Sequence, residues 1–352
     1  MEPAVASRRS GKVEGADRAR SPVPVLAALD LGTNNCRLLI ARARGRGYRI
    51  IDAFSRIVRL GEGLSRTGVL AEDAMGRTIE ALKVCAAKIK RRGVTHARSV
   101  ATEACRRAGN CDKFLERVRG ETGLDIEIIS TAEEAQLAFR GCSPLLSARQ
   151  PRALVFDIGG GSTELGWLKL RNGRPPEVID SMSVPMGVVT ISEHYGRCHV
   201  SDDLYLRMVQ DVSGHMAAFA ERNGIGPRVA AGAVQMLGTS GTVTTLAGIH
   251  LGLERYDRSR VDGTYLDFDS IRAISRGLAS MTYEERCRAA CIGIDRADLV
   301  VAGCAILEAI CGLWPVGRLR VADRGVREGI LDGLMLSARR GARQLPNGEA
   351  AA

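Results

Sequence analysis

From residue 23 onward the chain alternates short apolar runs with amphipathic stretches. Val25–Asp30 is an apolar run closed by an aspartate, which predicts a strand. After a turn, Cys36–Arg42 and Tyr48–Phe54 read as further strands. Glu72–Lys90 places Met75, Ile79, Leu82, Ala86 and Ile89 on one stripe and predicts a helix, with Arg91, Arg92 and Gly93 suited to its C-terminus. Strands at Ala97–Ala101 and Ile126–Ile129 follow, each running into a helix start.

The second half opens in the same way. Ala153–Asp157, Glu164–Leu170 and Val178–Val184 predict three strands. A helix follows near Asp202–Arg222, then a small-residue strand near Val229–Leu237. Helices near Ser270–Met281 and Asp298–Gly312 and a strand at Arg318–Val321 complete the pattern. Residues 1–22 mix Gly, Ser, Arg and Pro without periodicity and read as a disordered tail, and residues 339–352 as a flexible one.

Superposing Asp30 on Asp157 lays "ALDLGTNNCRLL" over "VFDIGGGSTELG". Aspartate, branched apolar residue, glycine and small polar residues recur at one spacing, so the halves read as a duplication. Each turn feeds a strand, not a helix, which separates it from the Rossmann and P-loop turns. Backbone N–H groups of a glycine-rich hairpin still form an anion nest.

Composition narrows the function classes. With 352 residues the chain has room for two cored domains, and no run reaches the length of a spanning helix. No apolar secretory leader is evident, and the ten cysteines show no CxxC pairing, so a reduced cytoplasmic protein without a zinc site is expected. The net charge of +10 favours polyanionic partners. Aromatic residues make up only 4%, and no zinc-finger, zipper or RNA-binding signature occurs, so nucleic acid and membrane are not expected as partners.

The segments "LDLGTNNCRLLIA", "VATEACRRAGN", "IEIISTAEEAQLAF", "FDIGGGSTEL", "GTSGTVTTLAGI" and "VADRGVREGIL", in this order, resemble the exopolyphosphatase / guanosine pentaphosphate phosphatase family of the actin-like ATPase superfamily. The chain is similar to the short members. The resemblance implies an α/β fold of duplicated actin-like (ribonuclease H-like) domains with a cleft between them: domain I at 23–132, with 322–338 as a candidate completion, and domain II at 133–321. It implies release of orthophosphate from inorganic polyphosphate by attack of water, with Mg²⁺ or another divalent cation and a homodimer. Guanosine pentaphosphate is the alternative substrate. An actin-like kinase or ATPase, and a non-catalytic polyphosphate or alarmone sensor, are the rival classes.

Carboxylates at strand ends beside glycine nests suit a divalent cation carried with phosphates, so Asp157 and Asp30 are the candidate metal ligands. Gly159, Gly160 and Gly161, with Ser162 and Thr163, would let phosphate oxygens approach the backbone. Thr33, Asn34 and Asn35 would bracket the phosphate from the opposite side. The resemblance places the catalytic glutamate at Glu134. Ser130-x-x-Glu133 and Thr131-x-x-Glu134 both spell a capping box; with Ser130 as N-cap, Glu133 takes the structural role and Glu134 is free. Thr131 and Gln136 stand where the family often has glycine and arginine. Glu164 is a candidate for orienting the water, and Arg106 for forked bonds to phosphate. Ser240, Gly241 and Thr242 form a turn opening a helix and read as a further anion site. The histidines show no ligand spacing.

Overall fold

A computed structural model of the chain describes residues 23–45, 47–196 and 200–344. The first sheet holds β1 (Val25–Leu31), β2 (Asn35–Arg44), β3 (Gly47–Ile57), β4 (His96–Ala101) and β5 (Glu127–Ile128) in the order β3-β2-β1-β4-β5. The second holds β6 (Arg152–Ile158), β7 (Thr163–Lys169), β8 (Glu177–Val184), β9 (Val234–Thr239), β10 (Tyr265–Asp267) and β11 (Arg318–Ala322) in the order β10-β11-β9-β6-β7-β8. β1 pairs antiparallel with β2 and parallel with β4; β6 does the same with β7 and β9. The repeat holds to the residue: Leu31 faces Cys36 across the first hairpin, and Ile158 faces Thr163 across the second. This is the duplicated α/β architecture that the twin aspartate turns predict.

Three apolar clusters stack the layers. One face of the first sheet packs on the helices Glu72–Arg91 and Cys111–Thr122. One face of the second packs on Asp202–Arg222 and Val300–Leu313. The remaining faces turn toward each other, through Leu26, Ala28 and Leu39 on one side and Ala153, Val155 and Leu168 on the other. Between them lie the helices Thr131–Cys142 and Val326–Gln344, contributing Ala135, Phe139, Ile330 and Leu331. Both faces of β1 and β6 are therefore covered, which is why each reads as an unbroken apolar run.

The two central helices cross at glycine. A Cβ on Gly141 would stand 2.0 Å from the Gly325 carbonyl oxygen, and one on Gly329 would stand 2.1 Å from that of Leu137. Bare backbone is the only surface that lets the helices approach this far.

Some boundaries differ from expectation. Val229–Leu237 is not one strand: Ile225–Ala230 is a short helix and β9 starts at Val234. Its small residues carry no period that marks the change. Residues 339–344, expected as flexible tail, continue the last helix, because Ile330, Leu331 and Met335 already dock its apolar face. β5 pairs only through Glu127–Ile128, shorter than the run Ile126–Ile129. The helix Val188–Tyr195 went unpredicted. Residues 1–22 and 345–352 lie outside the described residues. The cysteines are free thiols among the described residues, and among those residues no helix is long and apolar enough to cross a membrane.

Gly329→Ala should lower stability by more than the ~1–3 kcal/mol typical of overpacking, since the obstacle is backbone. Gly120→Ala, in open space on the helix Cys111–Thr122, should stabilise by up to ~1 kcal/mol. Urea denaturation midpoints of the two variants measure the contrast.

Candidate active site

Both hairpins turn alike. Gly32 N donates to Asn35 O at 2.9 Å, and Gly159 N to Ser162 O at 2.9 Å. Each turn is braced by the chain that follows its third strand. Val58 N and Arg59 N donate to Asn34 O (2.9 and 3.1 Å), while Val188 N donates to Gly159 O (3.0 Å) and Val189 N to Gly160 O (2.8 Å). The turns touch. A Cβ on Gly160 would lie 2.9 Å from Thr33 Cβ, and one on Gly161 would lie 2.9 Å from Thr33 Oγ1 and from Glu103 Cγ. These glycines are thus required by the packing of one turn on the other, a demand that phosphate approach alone did not foretell.

A cavity of about 110 Å³ surrounds the contact. Asp30, Thr33, Asn34 and Asn35 line it from the first half, with Glu134. Asp157, Gly159, Gly160, Gly161 and Ser162 line it from the second hairpin, and Ser240, Gly241 and Thr242 from the N-terminus of the helix Gly241–His250. Ser240 is that helix's N-cap and accepts from Val243 N at 3.0 Å. A second chamber of about 390 Å³ shares Asp30, Arg37, Asp157 and Arg296 with the first and adds Arg258, Arg324 and Arg327.

Three expected residues stand back from the cavity. Glu164 is 2% exposed and accepts from Ser162 Oγ (2.6 Å) and Ser183 Oγ (3.0 Å), so it orients Ser162 from behind. Thr163 is buried, and its hydroxyl donates to Met186 O at 2.7 Å, a bond that fixes the loop after β8. Arg106 does not line the cavity either. Its guanidinium donates to Glu134 Oε2 and Glu103 Oε2, each at 2.8 Å, and to Ile129 O at 2.8 Å. With those donors committed, Arg106 positions Glu134 and is not placed as the phosphate ligand expected from its sequence context.

Ser130 caps the helix Thr131–Cys142 by accepting from Glu133 N. Glu133 does not return the bond. It takes Arg98 at 2.6 Å instead, a partner from β4. Glu134 is left to face the cavity, as the register of the box requires.

The acids are crowded in a dry space. Burial pushes the Glu134 carboxyl up to about 8, and the charge of Glu164 adds to the shift. Burial pushes Asp157 up to about 7, with Glu134 and Asp30 raising it further and Arg37 opposing. Glu164 rises to about 7, and Asp30 is raised as well, both through burial first. The carboxylates of Asp30 and Asp157 have no hydrogen-bond partner among the described residues.

Arg37, Arg296 and Arg327 were not anticipated. Among the described residues Arg37 and Arg327 have no side-chain hydrogen bond or ion pair, and Arg296 has one bond, to Thr245 Oγ1 at 3.1 Å. Burial lowers the pKa of Arg296 and Arg327, and the nearby charge of Arg37 lowers both further. Three guanidiniums with open donors on one wall suit an anion bearing several charges. The signal for Arg37 was present in the sequence: a cation set among the apolar residues Cys36–Ala41 of β2, opposite Asp30. Arg296 and Arg327 gave none, since both lie among ordinary helix-end charges.

A divalent cation fits the donor set in a particular way. The side-chain oxygen of Asn34 is buried without a partner and belongs to a residue of the cavity wall, and the raised carboxyls report uncompensated negative charge. Yet among the described residues no three acidic, His or Cys groups come close enough to form a cage. That combination fits a divalent cation held through one or two carboxylates, water and the substrate's own phosphates.

Across the rim, Arg59 clamps Asp298 with bonds of 2.8 and 3.1 Å, and Glu193 accepts from Gly63 N (2.8 Å) and Ser65 Oγ (3.0 Å). Arg59 holds a φ of 50°, a left-handed conformation rare outside glycine. Both clamps join the segment after β3 to the second half of the chain.

The chain is similar to known proteins over most of its length. The chain is 31% identical over 330 residues to "Exopolyphosphatase 2" of Mycobacterium tuberculosis, covering 89% of this chain and 98% of that one. It superposes on the crystal structure of the Aquifex aeolicus Ppx/GppA family member with a TM-score of 0.75, at 29% identity, covering 90% of this chain and 99% of that one. An exopolyphosphatase from Cytophaga hutchinsonii gives a TM-score of 0.79 at 25% identity, over 89% and 98%. The Ppx/GppA phosphatase family model matches residues 39–338, and on these grounds the chain belongs to the Ppx/GppA phosphatase family.

Proposed function

We propose that the protein is an exopolyphosphatase, releasing terminal orthophosphate from inorganic polyphosphate in the cavity between its two hairpins. The observation that carries this reading is the position of Glu134. Its carboxyl faces the same cavity as Asp30 and Asp157, is gripped by Arg106, and is pushed up to about 8. A base poised near neutrality is what proton abstraction from water requires. Two of the relatives reported above carry the name exopolyphosphatase, which favours polyphosphate over guanosine pentaphosphate.

In the proposed reaction Glu134 takes a proton from a water, and the water oxygen attacks the terminal phosphorus. The anhydride P–O bond breaks, and the shortened chain leaves as an anion. Arg37, Arg296 and Arg327 hold the chain's equatorial oxygens and offset the charge that develops on the leaving group. Thr33, Asn34 and Ser162 orient the terminal phosphate, and Glu164 fixes Ser162 for that task. Asp30 and Asp157 would hold the divalent cation, Mg²⁺ in this reading, which when bound neutralises phosphate charge. The reading includes domain I at 23–132 completed by 322–338, domain II at 133–321, a cytoplasmic location and a homodimer.

Phosphate release from long-chain polyphosphate without any acceptor tests the assignment; formation of ADP from ATP with phosphate transferred to a sugar or acid would overturn it. Glu134→Gln should lower kcat by roughly 10²–10⁴-fold while calorimetric binding of polyphosphate persists. Arg37→Ala should raise KM for polyphosphate by about tenfold to a hundredfold, the worth of one hydrogen bond to a charged group, as read from initial rates.

The pH dependence has a definite sign. kcat/KM should climb as pH rises through about 8, as Glu134 ionises. Stability of the ligand-free protein should run the other way. A carboxyl whose folded pKa lies above its unfolded value favours folding in full below the unfolded value, and that contribution is lost progressively as pH rises to about 8. Melting temperatures taken between pH 5 and about 8 should therefore fall, and Glu134→Gln should flatten the decline.

A further inference from the structure

Arg59 holds more than a rim contact. Its backbone braces the first hairpin: Arg59 N and Val58 N both donate to Asn34 O, and two residues on Gly61 N donates to Thr33 O at 2.9 Å. Its side chain crosses to the second half of the chain and grips a single turn there. Nη1 and Nη2 donate to the two carboxylate oxygens of Asp298 (2.8 and 3.1 Å), and Nη2 also donates to Asp295 O at 3.3 Å. Asp295 and Asp298 flank Arg296, which lines both the reaction cavity and the chamber beside it. One residue therefore touches the turn that presents Thr33 and Asn34 and the turn that presents Arg296.

Arg296 has little else to place it against the first half. Its guanidinium makes one hydrogen bond among the described residues, to Thr245 Oγ1, a partner from its own half. The turn is locally closed, with Arg296 N and Ala297 N both donating to Gly293 O at 3.2 Å. It is tied within its own half by Arg286 Nε to Ala297 O (3.0 Å) and by Ser192 Oγ to Asp298 O (3.2 Å). Those bonds leave its distance from the first hairpin open, and the Arg59 fork supplies it. The Asp298 side chain is only 9% exposed, so water and salt screen the fork weakly.

We propose that Arg59 is a positioning residue of the anion wall: it sets Arg296 against the first hairpin, so that the group gripping the phosphate chain and the turn orienting the terminal phosphate stand at one fixed separation. The inference rests on the reading of Arg296 as a chain ligand. A planar fork suits the task, because two parallel bonds fix direction as well as distance, which an ammonium cannot do. The φ of 50° points the same way. Glycine would hold that angle without strain, so the arginine is accounted for by the bonds of its side chain.

The same angle supplies the test variant. Arg59→Gly removes the fork, keeps the backbone bonds to Asn34 and adds no backbone strain. Two readouts on the full-length protein are compared: KM from phosphate release, and the calorimetric Kd for long-chain polyphosphate. Both should rise about tenfold or more in Arg59→Gly, the worth of a hydrogen bond to a charged group, with kcat changed less. Arg59→Lys should fall between, since it keeps a charge opposite Asp298 and loses the fork. In an Arg296→Ala background, Arg59→Gly should weaken binding no further, whereas independent effects would multiply. If Arg59→Gly does not fold because Asp298 is left without its fork, the double variant Arg59→Gly/Asp298→Asn, which removes both charges, should show the same rise. A Kd unchanged by loss of the fork, even with a lowered melting temperature, overturns the proposal. So does a rise that multiplies with that of Arg296→Ala. Because Kd is read without turnover, these outcomes stand even in a parent protein that hydrolyses no polyphosphate, a result that would sink the functional reading by itself.

Discussion

Too much negative charge is confined in too dry a space. Burial raises the proton affinity of Asp30, Glu134, Asp157 and Glu164, and neighbouring acids of the same group raise that of the last three further. Left alone, such a cluster would keep protons it does not need, and folding would be opposed as pH rises. The arrangement makes sense only with compensating cations brought from outside. The arginine wall of Arg37, Arg296 and Arg327 has the mirror-image problem, being a set of like charges with open donors. In the proposed function a polyanion arriving with divalent cations would relieve both at once, its phosphates meeting the guanidiniums and its metal the carboxylates.

The hairpin contact turns that electrostatic arrangement into a defined geometry. Thr33 packs against Gly160 and Gly161, so the two aspartate-tipped turns have one mutual placement and not a range. Arg59 with Asp298, and Glu193 with Gly63 and Ser65, hold the same placement from the rim. Water excluded from such a site strengthens every charge interaction inside it. The strained φ of Arg59 fits a residue whose backbone is set by what its side chain must reach.

How far the sequence foretold this depends on the kind of signal. Period-two and period-3.6 patterns placed most strands and the long helices, and the alignment of Asp30 with Asp157 foretold the two matching hairpins, whose second strands start one residue earlier than expected, at Asn35 and Thr163. Glu134 was named through the family resemblance, and the cap by Ser130 accounts for Glu133 and leaves Glu134 facing the cavity. Arg106 has neighbours in sequence that point to phosphate, whereas its partners Glu103, Glu134 and the Ile129 carbonyl come from folding. Arg296 and Arg327 were invisible for the same reason. Sequence shows that a cation exists, whereas only the packed chain shows which cations lack partners. The stretch before β9 failed because alanine and glycine carry no period to read.

The glycine crossing links the base to the anion wall. Glu134 lies two turns before Gly141 on one central helix, and Arg327 lies just before Gly329 on the other. Each therefore sits within about two turns of the place where the two helix backbones approach most closely, so packing at those glycines sets the distance between Glu134 and Arg327.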